Sequence, residues 1–116
     1  MTRYSVNAEG VKKAKDMIEA HQYDIDTEWG EGAPSAEEGN AQIERHGYEG
    51  FGQWHLAIDT EATEDTKDRY GFPYGDFQRV YRSALIHAKQ RAVQNGHDDV
   101  ARVADEVLDR LDKVRA

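Results

Sequence analysis

The sequence predicts an all-α fold: a small bundle of four to six helices with a C-terminal antiparallel helical hairpin. Three observations carry this expectation. Phe77, Val80, Tyr81, Ala84, Leu85, Ala88 and Ala92 recur at helical spacing, and so do Val100, Val103, Ala104, Val107, Leu108, Leu111 and Val114. Between the two stripes, Asn95-Gly96-His97 is a turn short enough to join antiparallel neighbours. Near the N-terminus, Val11, Ala14 and Ile18 give a third stripe, set among Lys12, Lys13, Lys15 and Asp16.

Taken in order, Asn7 is placed to cap a first helix that ends near Gln22. Residues 24–34 then form an acidic loop, broken by Gly30, Gly32 and Pro34, and the stretch 24–38 holds six acids and no base. Ser35 followed by Glu38 has capping-box spacing, so a short helix runs to about His46. GYEGFGQWHLAID, residues 47–59, fits two periods. As a helix it groups Phe51, Trp54, His55 and Ile58, and as a strand it separates Trp54, Leu56 and Ile58 from His55 and Ala57. Its glycines disfavour a helix, yet no other segment offers itself as a partner strand, so the helical reading is preferred. Thr63 caps a short turn or helix over EDTKDRY. In YGFPYGDF, residues 70–77, Pro73 and the flanking glycines stiffen and turn the chain, and Asp76 caps the long helix 76–95. A cap at Asp98 starts the last helix, 98–115. The whole of 1–116 reads as one helical domain.

Composition narrows the function classes. The chain has no cysteine, which removes disulfides, thiolate catalysis and cysteine-ligated zinc. Residues 1–66 carry 15 acids and 5 bases, a balance of −10, while residues 67–116 carry 8 acids and 10 bases, a balance of +2. Counterion release from phosphates needs clustered cations, so no nucleic-acid partner is expected. No signal peptide and no membrane-spanning run are visible, and the expected location is cytoplasmic.

DIDTE places Asp24, Asp26 and Glu28 at alternate positions, as hard cations require, but an EF-hand register from Asp24 puts Trp29 at its sixth place and Ser35 at its twelfth. His55 and Asp59 share a face if this segment is helical, and with a third ligand they make the one usable metal spacing. No Gly-x-Ser-x-Gly elbow or phosphate loop is present. A ligand cleft around YGFPYGDF would use Tyr70, Tyr74 and Asp76, with Arg79 and Arg82 orienting a small polar ligand. On the long helix, Ile86 and Val93 lie nearly opposite the main stripe with the Arg82 stem between them; the N-terminal helices packing on this second surface would explain it, and an interface with another protein or a second copy through Arg82, Ile86 and Val93 is the other reading. Arg91, at the edge of the main stripe, is expected to pair with Asp105 or Glu106.

QWHLAID, the connector DTKDRYGFPYGDF and the helix FQRVYRSALIHAKQRA together resemble a group of small bacterial proteins of unknown function. The likeness covers roughly residues 44–111, with YGDF-x-x-V-x-R its most distinctive part. It implies a bacterial, stand-alone protein and brings no activity, cofactor or site residue. The reading that follows is a protein-interaction or self-associating module with no catalytic residue and no cofactor. The alternative is a metal- or small-ligand-binding protein or enzyme with a site near His55, Asp59, Tyr74 and Asp76.

Overall fold

The computed structural model describes residues 3–116, and it overturns the all-α expectation. Five helices pack with two small sheets into a mixed fold. The elements run β1 (Ser5–Val6), α1 (Ala8–Glu19), β2 (Tyr23–Asp24), α2 (Trp29–Gly32), α3 (Ala36–Gly52), β3 (His55–Ile58), β4 (Tyr70–Pro73), β5 (Val80–Tyr81), α4 (Arg82–Gln94) and α5 (Asp98–Arg115). A single 3₁₀ turn, Lys67–Arg69, is all the helix that forms in the EDTKDRY region.

The central correction lies at residues 55–58, which form a strand. β3 is the middle of an antiparallel sheet ordered β1-β3-β4, with Val6 opposite Ala57 and Gly71 opposite Ala57 on the other side. Its partners were hidden because one is two residues long and precedes the first helix, while the other contains a proline. The strand itself shows no alternation because His55, Leu56 and Ala57 are all buried. A second, parallel pairing sets Tyr23 beside Val80 and Asp24 beside Tyr81, tying the acidic segment to the entry of α4.

Capping follows the sequence reading at one helix and departs from it at the others. Ser35 and Glu38 form the full capping box of α3, with Glu38 N–H donating to Ser35 Oγ at 3.1 Å and Ser35 N–H donating to Glu38 Oε1 at 3.0 Å. Gly47, at φ 75°, kinks α3 one residue after the expected helix end. Asn7, Thr63 and Asp98 do not cap. Asn7 precedes α1 without a side-chain cap bond, Thr66 rather than Thr63 precedes the 3₁₀ turn, and α5 already includes Asp98. α4 begins at Arg82 rather than at 76, because Phe77 has φ 70° and the chain then runs extended through β5.

α4 folds back onto α5 through Asn95-Gly96-His97, and α1 packs across α5. The main core joins Ala14, Met17 and Ile18 of α1 to Leu85 and Ala88 of α4 and to Ala104, Val107 and Leu111 of α5, with Trp54, Leu56, Tyr74 and Val80 contributed by the sheets and loops. A smaller cluster of Ala57, Ala92, Val100 and Ala101 seats Tyr4 and Phe72 at the other end of the sheet. No helix among the described residues is long and apolar enough to cross a membrane.

Candidate functional site

The strand separates the two metal candidates. Four residues of extended chain put Asp59 about 13 Å along from His55, so the shared helical face does not form. His55 is buried with Nδ1 3.0 Å from the Phe51 carbonyl oxygen, which can only accept, so Nδ1 carries the proton and Nε2 is left as an acceptor. Burial holds the imidazole pKa down to about 4, against the smaller opposing effect of the Phe51 and Gly52 backbone bonds. Asp59 accepts from Glu61 N–H at 3.0 Å and shapes the loop after β3. Among the described residues, no three His, Cys, Asp or Glu side chains gather as a metal-binding group.

The five residues proposed from YGFPYGDF and its neighbours are engaged within the fold. Tyr74 is fully buried, stacks on Trp54 at 5.6 Å and donates its hydroxyl to Gln53 O at 2.7 Å, and burial raises its pKa. Tyr70 packs its ring against Phe51 and His55 and fills the space beside Gly52. Asp76 Oδ1 accepts from the amides of Gln78 and Arg79, at 3.0 and 2.9 Å, and Oδ2 accepts from the Tyr81 hydroxyl at 2.9 Å. The carboxylate therefore braces the 76–79 turn instead of capping α4. Arg79 lies over the Tyr81 ring at 6.0 Å, and Arg82 forks onto Asp112 with bonds of 2.9 and 3.1 Å. That fork holds the Asp112 carboxyl below its usual range.

Of the interface candidates, Arg82 is thus held by α5. Ile86 is half-buried and lines a hollow with Ile25, Thr27 and Trp29, and Val93 stands 60% exposed. The acidic segment is pinned beside Ile86. Asp24 accepts from the amides of Asp26 and Thr27 and from the Thr27 hydroxyl, and the Ser83 hydroxyl donates to Thr27 O at 2.7 Å. The bonds from Thr27 hold the Asp24 carboxyl below its ordinary pKa.

What the fold assembles instead is a wall made of Trp29 and Pro73 with a cleft on each side. One cleft, of about 360 Å³, is mostly apolar and is lined by Phe51, Trp54, His55, Phe77, Pro34 and Lys67, among others. The other, of about 670 Å³, lies between β4 and α4 and is lined by Tyr4, Phe72, His87, Arg91, Asn95 and His97, among others. No family model, curated protein or solved structure matches this chain. Function must therefore be argued from these clefts. The residues that line them were only partly visible beforehand. Trp29 packs edge-on to Tyr81 at 5.5 Å, and its contribution to both clefts depends on the β2–β5 pairing.

Proposed function

We propose that this chain is a small, non-catalytic interaction module of bacterial type that docks a basic protein segment, with an apolar side chain of the partner seated in the Trp29–Phe77 cleft. One observation carries the reading: an aromatic cleft of about 360 Å³ is walled by a segment whose flanking residues Glu28, Glu31, Glu37 and Glu38 are all exposed. That segment supplies the apolar pocket and the acidic surround together, and the aromatic floor gives the anchor its desolvated seat. The engagement of Tyr74, Asp76 and Arg82 inside the fold supports a binding role over a catalytic one.

The test is a titration with a hexalysine peptide carrying one central phenylalanine, followed by the Trp29 indole resonance. Shifts at Trp29 and Phe77 that weaken with salt, and that vanish in Phe77→Ala, are expected. Equal binding of the glutamate version of the peptide, or no shift at all, overturns the proposal.

A second reading rests on Val93 and Ile25, at 60% and 37% exposure the two exposed large apolar side chains among the described residues. With Ile86 they offer a face to a second copy of the chain. A dimer in sedimentation velocity that Ile86→Glu dissolves would favour self-association as the primary role.

A further inference from the structure

The cleft between β4 and α4 has the opposite character from the one just assigned, and its chemistry starts from an arginine that lacks its expected partner. The acids nearest in the sequence reading are taken by others: Asp105 receives Lys89 at 2.8 Å, and Glu106 lies 3.9 Å from Lys15. Arg91 makes no ion pair among the described residues. It lines the cleft instead, at the centre of a stripe in which His87 and Arg91 of α4 and Asn95 just past its end follow one another at four-residue steps. His97 adds a second imidazole from the turn, and no acid among the described residues lines the cavity. In a chain of net charge −8, a hollow bearing one guanidinium, two imidazoles and an amide with no carboxylate selects for negative charge.

The aromatic part of the lining selects for a ring. Tyr4, Phe72 and His97 meet edge-on with centroid separations of 5.5, 5.7 and 5.8 Å, and Trp29 and Pro73 close one side. Gly71 leaves the space that the Tyr4 ring occupies, since a Cβ there would come within 2.6 Å of it. Asp59 and Asp68 act on the Tyr4 hydroxyl, whose pKa is raised first by burial, but neither lines the cleft. The volume of about 670 Å³ is in the range of small-molecule sites, about 300–1,000 Å³.

We propose that this cleft binds a small planar anion, an aromatic or heteroaromatic ring bearing one carboxylate or phosphate, with Arg91 forked onto the anionic group and the ring held against Phe72 and Tyr4. This goes beyond the docking of a basic segment and uses a different cavity.

The experiment is a titration, followed by side-chain resonances of Arg91 and His97, with indole-3-acetate, 4-hydroxybenzoate and adenosine 5′-monophosphate. The controls are the uncharged indole-3-acetamide, 4-hydroxybenzamide and adenosine. At least one anion is expected to bind with Kd below about 1 mM and its uncharged counterpart about tenfold or more weaker. Because a charge-assisted fork is lost, Arg91→Gln is expected to weaken the anion by about 10- to 100-fold, and His97→Gln by a smaller factor. Arg91 is exposed, so that variant folds, and Phe77→Ala, which alters only the other cleft, leaves the anion's affinity unchanged. Three results overturn the proposal: no anion binding with Kd below about 1 mM, equal affinity for charged and uncharged probes, or shifts confined to Phe77 and Lys67. Whether the carboxylates or the phosphate bind more tightly decides the anionic group.

Discussion

Asn7 gives the sharpest test of how the fold is held. Its side chain is 7% exposed, and Nδ2 donates to Gly52 O at 3.0 Å and to His55 O at 3.1 Å, joining the start of α1 to the corner between α3 and β3. Each such bond contributes about 0.5–1.5 kcal/mol net, and a buried carbonyl left without a donor costs about 1–3 kcal/mol. With some relief from water entering the corner, Asn7→Ala should cost about 2–4 kcal/mol. Asn7→Asp should be worse again by about 1–2 kcal/mol at pH 7, because two acceptor oxygens would then face two carbonyl oxygens. A capping role predicts a different order, since aspartate and serine cap about as well as asparagine. Urea denaturation at pH 7, followed by circular dichroism, separates the two. Wild-type stability in Asn7→Asp, or a loss under about 0.5 kcal/mol in Asn7→Ala, would refute the stitch.

His55 predicts a pH dependence with a defined sign. Its folded pKa of about 4 lies below the value of 6.5 that the unfolded chain keeps, so the unfolded state binds the extra proton first. Stability is complete above about pH 6.5 and falls as the pH drops towards 4, by roughly 3 kcal/mol over the window. In His55→Gln, stability measured by denaturation at each pH should be flat from about pH 7 to 5; a slope equal to wild type would assign it to other groups. The two glycines of α2 offer a paired test. A Cβ at Gly32 would meet the Tyr81 ring at 2.1 Å, whereas one at Gly30 meets nothing within 4 Å. Gly32→Ala should lose about 1–3 kcal/mol and several degrees of Tm, while Gly30→Ala stays within about 0.5 kcal/mol of wild type or gains slightly. Equal melting temperatures would contradict the close approach of α2 to Tyr81.

The parts of the fold that were legible in the sequence are those whose signal is local. The stripe Val11, Ala14 and Ile18, the stripe of α5 and the Ser35–Glu38 box each depend on residues three or four apart, and each forms as read. The sheet depends on pairings such as Ser5 with Ile58, more than fifty residues apart, between strands of two and four residues. No periodicity survives at that length, and burial on both faces of β3 erased the alternation as well. The long-helix stripe shows the same limit in another form. Val80 and Tyr81 are buried as the stripe required, but they reach the core from a strand. At the site, the sequence points to YGFPYGDF as a stretch, but which way each of its side chains turns is set by the sheet pairings. The Tyr74 hydroxyl and the Asp76 carboxylate turn to the fold, the Tyr70 ring packs on Phe51 and His55, and the rings of Phe72 and Phe77 line the clefts.

That division bears on whether the stretch is more than a stiff connector. Phe72 and Phe77 both have positive φ, at 60° and 70°, a region in which a bulky side chain costs about 1–2 kcal/mol and glycine almost nothing. Glycine occurs next to or near each of them, at 71 and 75, yet the strained positions hold rings. A spacer would be better served by glycine there. The surroundings over-determine both conformations: Phe72 is held between Tyr4 and His97, at 5.5 and 5.8 Å, and Phe77 between Phe51 and Trp54, at 5.9 and 5.8 Å. Each strained ring is the wall of a different cleft, Phe72 of the basic one and Phe77 of the apolar one. Strain kept where two rings are aimed in two directions, with Pro73 fixing the chain between them, is what a pair of preorganised binding walls requires and a simple connection does not.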